Sequence, residues 1–136
     1  MGSRHDEYDR IVYYRFSDRQ KDEVLEKLRV LLRTEKRVVL VYVFGSFTRR
    51  SCVRDVDVAV YAVPPLSFDE LLELGGRVEL ELGFPVDVVQ LQDLNPAFRI
   101  KVLRHGCSVV MKDKRLSYFL VAQANAEIQD LALRAR

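Results

Sequence analysis

The sequence predicts a mixed fold of the α+β class, with one central sheet flanked by helices. Segments of helical and strand period alternate along the chain. Three short β-branched runs, over residues 37–44, 55–62 and 85–91, are each bounded by turn residues. Between them, Ser17 with Gln20 and Ser67 with Glu70 carry the capping-box pattern that starts a helix.

In chain order, a polar segment leads into Ile11 to Phe16 (IVYYRF), an aromatic run expected to add an edge strand or to face a partner. Ser17 then caps a helix over 18–34, because Val24, Leu25, Leu28, Leu31 and Leu32 recur at helical spacing. The first strand follows and stops at Gly45. Residues 47–54 (FTRRSCVR) show no strand alternation and are expected to make a single helical turn and a loop. The second strand ends at Pro64 and Pro65.

A second helix runs to about residue 82 on the stripe Leu71, Leu72, Val78 and Leu82, interrupted by Gly75-Gly76 and closed by Gly83. The third strand, PVDVVQL, holds an aspartate in an apolar run. Asn95-Pro96 opens a short helix to His105, with Gly106 as its cap, and a short strand over 107–111 follows. From Arg115 to about 134 the chain reads as a long alanine-containing helix.

With 136 residues the chain is expected to form one domain, with its core over about 20–112, an arm over 1–17 and the terminal helix over about 115–134. No apolar run approaches the roughly 18 residues of a membrane span. The start, MGSRHDEYDR, lacks the apolar core of a secretory signal, so a cytoplasmic location is expected. Cys52 and Cys107 lack metal-ligand neighbours and suggest neither a disulfide framework nor a zinc site. A net charge of +2 gives little reason to expect nucleic acid as a direct substrate.

The residues that combine chemistry with strand positions are Asp55, Asp57 and Asp87. A spacing of two puts Asp55 and Asp57 on one face of a strand, where their charges repel. Compensation comes from a divalent cation, an arginine, or protonation of one member. If the second and third strands are neighbours, Asp87 joins the pair in an oxygen-rich cluster suited to a hard cation such as Mg²⁺. The alternative is that Asp55 caps the strand while Asp57 and Asp87 pair with arginines. Gly45-Ser46, at the end of a strand, would present free amides to an anion. Arg49, Arg50 and Arg54 cluster beside it, as phosphate ligands or as a solvated loop.

This order of strand, Gly45-Ser46, arginine-containing turn, Asp55-Val56-Asp57, helix and Asp87 resembles the DNA polymerase β-type nucleotidyltransferase superfamily. The small size and the stretch from Val86 to Gly106 look like the minimal nucleotidyltransferases, the MNT partners of HEPN proteins in toxin–antitoxin pairs. The resemblance covers about residues 20–112. It implies that Gly45 and Ser46 help hold a nucleoside triphosphate, with Arg49 or Arg50 at the phosphates. It also implies that Asp55, Asp57 and Asp87 bind two Mg²⁺ ions, with Asp87 able to assist as base. Eight residues, Phe47 to Arg54, separate the Gly-Ser from the first aspartate, fewer than the family commonly has. Thr48-Arg49-Arg50 stands where Ala-Arg-Gly is common.

The implied activity is Mg²⁺-dependent transfer of AMP from ATP to a hydroxyl acceptor, a tyrosine of a HEPN toxin, so that the chain acts as an antitoxin. The competing reading is a catalytically weak or inactive subunit of the same fold that neutralises its partner by contact. The aromatic arm and the terminal helix are the features that favour it. Either reading is compatible with assembly into a homo- or hetero-oligomer.

Overall fold

The computed structural model describes residues 12–135. Residues 1–11, most of the expected arm and the start of its aromatic run, lie outside the described residues. The elements are β1 (Tyr14–Arg15), α1 (Asp18–Arg33), β2 (Val38–Phe44), β3 (Cys52–Val53), β4 (Val56–Ala62), α2 (Phe68–Leu82), β5 (Val86–Gln90), α3 (Pro96–His105), β6 (Cys107–Met111) and α4 (Lys114–Arg134). Single 3₁₀ turns occupy Gly45–Thr48 and Leu91–Asp93.

Both capping boxes form as the sequence predicts. Ser17 Oγ accepts from the Gln20 amide at 3.1 Å while Gln20 Oε1 accepts from the Ser17 amide at 2.8 Å. Ser67 and Glu70 repeat the exchange at 3.1 and 3.0 Å. Each box satisfies amides that the helix itself leaves unpaired. In α1 the buried residues are Val24, Leu28 and Leu32, the i, i+4, i+8 stripe that one helix face presents.

The central sheet has the order β5-β4-β2-β6. β2 is antiparallel to β4 and β6, whereas β4 and β5 run parallel, which requires the crossover that α2 supplies. Alternation along β4 divides its side chains between two cores. Val56, Val58 and Val60 join the core shared with α1 and α2, while Ala59 joins Leu40, Tyr42, Val102 of α3 and Leu120 of α4 on the other face. Asp57, one residue out of step with the valines, therefore faces the side covered by α3 and α4. Arg99 ties those two helices together: it pairs with Glu127 at 3.2 Å and donates to the Leu94 carbonyl at 2.9 Å.

The arm does not extend the central sheet. Tyr14 and Arg15 pair antiparallel with Val53 and Cys52, making a separate two-stranded sheet. Cys52–Val53, expected to be loop, becomes a strand because the arm brings it a partner. The Phe16 amide donates to the Ser51 carbonyl at 2.7 Å, and the Phe16 ring packs edge-on against Phe47 and Phe84, with centroids 5.4 and 5.1 Å away.

Gly76 offers a test of helix stability. It lies inside α2, and a Cβ built there meets nothing within 4 Å. Gly76→Ala is expected to raise unfolding free energy by about 1 kcal/mol, because alanine loses less backbone entropy in a helix. A urea midpoint below that of the parent protein would contradict the open setting of that helix face.

Candidate active site

The carboxylates meet where the end of β2 lies beside the starts of β4 and β5. Asp57 is opposite Phe44 on one side and opposite Asp87 on the other. The parallel β4–β5 pair thus puts two aspartates at the same level of adjacent strands, and Asp55 sits just before β4 on the face Asp57 shares. Asp55 and Asp57 are half-buried and Asp87 is exposed.

Gly45 closes the approach to Asp57 from the turn. Its φ is +78°, a conformation that favours glycine, and a Cβ built on it would lie 2.5 Å from Asp57 Oδ2. The glycine is thus required twice, by the turn and by the carboxylate packed against its backbone.

Among the described residues, no ion pair involves Asp55, Asp57 or Asp87. The arginine pairing that would have made them structural is absent there. The charges show in Asp57, whose pKa is raised to about 6 by burial first and by the neighbouring Asp55 and Asp87 carboxylates second. The donor chemistry fits a hard divalent cation, since all three groups offer oxygens and the central one lacks a counter-charge. Among the described residues, no group of three His, Cys, Asp or Glu side chains is placed so as to hold a metal ion by itself. An ion bound here would need further ligands from water and substrate phosphates.

A raised carboxyl pKa has a definite sign in stability. The folded protein keeps a proton on Asp57 that the unfolded chain gives up at about pH 3.9. This contribution is complete below that pH and is lost as pH rises through about 6. In the metal-free protein, Asp57→Asn is therefore expected to raise the melting temperature at pH 7 and to leave it little changed at pH 4. Equal shifts at the two pH values would contradict the charge origin of the effect.

The Gly-Ser turn is compact. Thr48 Oγ1 donates to the Gly45 carbonyl at 2.8 Å, and the amides of Arg49 and Arg50 donate to the Ser46 carbonyl at 3.0 and 2.8 Å. Phe47 is buried beneath it, with Lys21 Nζ 5.3 Å from the ring centroid. The same Nζ donates to the Arg50 carbonyl at 2.6 Å. One 3₁₀ turn has little macrodipole, so its contribution to anion binding rests on individual amides and side chains.

Beside Gly45 lies a cavity of about 440 Å³, walled by Thr48 and Arg49 of the turn and by Phe98, Lys101 and His105 of α3. Arg49 thus faces the cavity, while Arg50 and Arg54 are not part of its wall. Asp87 opens instead onto a groove of about 580 Å³ between α2 and β5. Neither Lys101 nor His105 stands out in the sequence as a site residue. The available signal is their i, i+4 spacing on the helix that follows Asp87.

The fold has close counterparts among solved structures. One chain, from a toxin–antitoxin complex with AMP-PNP, aligns with a TM-score of 0.71 at 24% identity over 81% of this chain and 90% of that one. Another is from the tri-AMPylated Shewanella oneidensis HEPN toxin in complex with MNT antitoxin, with a TM-score of 0.70, 23% identity and coverage of 84% and 91%. A chain of the MntA-HepT toxin–antitoxin complex aligns at 0.63 and 20% identity over 84% and 88%. At these identities the likeness establishes the shared fold. A search of curated proteins finds no match to the sequence. The model of the polymerase beta nucleotidyltransferase family matches residues 26–115, a span that holds the Gly-Ser turn and all three aspartates. The chain therefore belongs to the polymerase beta nucleotidyltransferase family.

Proposed function

We propose that the chain, acting as one nucleotidyltransferase unit in the cytoplasm, moves AMP from ATP to a tyrosine hydroxyl of a HEPN-type toxin and thereby acts as its antitoxin. The observation that carries the reading is the register placing Asp57 level with Asp87 on parallel strands, with Gly45 packed on Asp57. Support for the nucleotide and the partner comes from structural counterparts described with AMP-PNP and with an AMPylated HEPN toxin. Among the described residues no helix is long and apolar enough to cross a membrane.

In this mechanism the acceptor hydroxyl oxygen attacks the α-phosphorus of ATP. The bond from that phosphorus to the bridging oxygen breaks, and pyrophosphate leaves. Asp87 accepts the hydroxyl proton, directly or through water. Ser46 and the amides of its turn hold the β- and γ-phosphates, and Arg49 offsets charge on the leaving group. Arg50 stays close through its backbone bond to Lys21 and adds positive field without lining the cavity. Asp55, Asp57 and Asp87 would hold Mg²⁺, which supplies charge neutralisation of the triphosphate and polarisation of the attacking oxygen when bound.

A contact contribution is favoured by one feature of α4. Its Tyr118, Phe119, Leu131 and Leu133 are exposed, while Leu120 and Ala124 alone are buried against the body. Calorimetry of ATP binding with and without Mg²⁺ separates the readings. Binding that requires the metal supports the transferase, and absence of metal-dependent binding would leave neutralisation by contact. The toxin to pair with it is sought in the adjacent reading frame.

A further inference from the structure

The cavity beside Gly45 is lined by side chains that the three-carboxylate site does not use. Arg49 stands on the turn, and Lys101 and His105 stand one helical turn apart on α3 across from it. Among the described residues, none of the three is engaged in an ion pair. Arg49 and Lys101, uncompensated cations on two walls of one cavity, hold an anion better than any neutral ligand. Phe44 and Phe98, in edge-to-face contact at 5.6 Å, line the same space and lower its dielectric, which strengthens attraction to an anion.

Position and size narrow the choice of anion. Gly45 lies on the cavity wall on one side and against the Asp57 carboxylate on the other. An anion in the cavity is therefore adjacent, across Gly45, to a group held at the carboxylates. A volume of about 440 Å³ falls within the range of roughly 300–1,000 Å³ typical of small-ligand sites. A polyphosphate chain meets both conditions, with its inner phosphate at the carboxylates and its outer phosphates among Arg49, Lys101 and His105.

We propose that α3 completes the triphosphate site, with Lys101 and His105 binding the outer phosphates that depart as pyrophosphate. The assignment rests on the AMP-transfer reading and extends it to two residues outside the Gly-Ser and aspartate motifs. Lys101 brings three donors on a flexible stem and His105 a ring N–H donor, so both can follow a phosphate group as it leaves. The expected signature is selective: affinity for the outer phosphates falls when these donors are removed, whereas affinity for a monophosphate does not.

The test is titration calorimetry of the full chain in Mg²⁺ with ATP, AMP and inorganic tripolyphosphate. Lys101→Ala is expected to weaken ATP and tripolyphosphate by about tenfold, the scale of one charged hydrogen bond, with AMP changed by less than about twofold. Adding His105→Ala is expected to weaken them further, and Lys101→Arg to restore most of the affinity. Lys101 and His105 are exposed, so the variants are expected to fold. A wild-type protein that transfers AMP, paired with a Lys101→Ala variant of undiminished ATP affinity, would overturn this assignment alone. Equal weakening of AMP and ATP would also overturn it. A wild-type protein that binds neither ATP nor tripolyphosphate would overturn the AMP-transfer reading together with it.

Discussion

Asp57→Asn is expected to reduce AMP transfer by about a thousandfold or more, corresponding to about 4 kcal/mol of lost transition-state stabilisation. The amide keeps the size of the side chain but carries no charge and offers one oxygen instead of two. Asp57 is the central member of the cluster, next to Asp87 in register and with Gly45 on its other side. The same change removes a charge whose burial first, and whose carboxylate neighbours second, raise the group's pKa to about 6. Activity and metal-free stability should therefore move in opposite directions, as expected where a site holds like charges for function. A steady-state rate assay beside a thermal melt at pH 7 reads both. A variant that is more stable and fully active would contradict the assigned role.

Gly45→Ala is expected to lower transfer by about a hundredfold, the cost of misplacing a reacting group by about 1 Å. It is also expected to destabilise the fold by about 1–3 kcal/mol through backbone strain. The two effects have different sources, and Gly83 separates them. Gly83 has nearly the same φ, +79°, but a Cβ there meets nothing within 4 Å, whereas at Gly45 it meets Asp57 Oδ2 at 2.5 Å. Gly83→Ala should thus share the strain and keep the activity. If the two variants lose activity equally, the contact between Gly45 and Asp57 is not what makes the glycine necessary.

Elements whose signals are local were legible from sequence. Both serine capping boxes, the end of α2 at Gly83 and the start of α3 at Asn95-Pro96 depend on residues within one turn of each other. The cluster requires β4 and β5 to be neighbours, and they pair in parallel. Other features depend on distant parts of the chain. Cys52–Val53 is extended because Tyr14–Arg15 pairs with it, and Phe16, Phe47 and Phe84 hold that pairing from three separate segments. No local periodicity in residues 47–54 carries that information. Lys101 and His105 carry no distinctive sequence signal for a related reason. On an isolated helix they are an ordinary charged face, and only the packing of α3 beside the Gly-Ser turn makes them the wall of a cavity.

The turn between Ser46 and Asp55 depends on both local and distant residues. From sequence it is tight and basic. In the structure it is anchored at both ends of its basic run, by the Ser46 carbonyl accepting two amides and by Lys21 and Phe16 bonding Arg50 and Ser51. Such anchoring limits the conformations available to Arg49 and supports a preorganised phosphate contact in place of a flexible one.

Transfer of the AMP unit of ATP to a protein hydroxyl at the Asp57 cluster is read by incubating the chain and a HEPN-type toxin in Mg²⁺ with ATP labelled at either the α- or the γ-phosphorus. Label is expected on the toxin from the α-position alone, dependent on Mg²⁺ and absent with Asp57→Asn. Label from the γ-position, or α-label that persists in the Asp57→Asn variant, would show that the cluster does not carry this transfer.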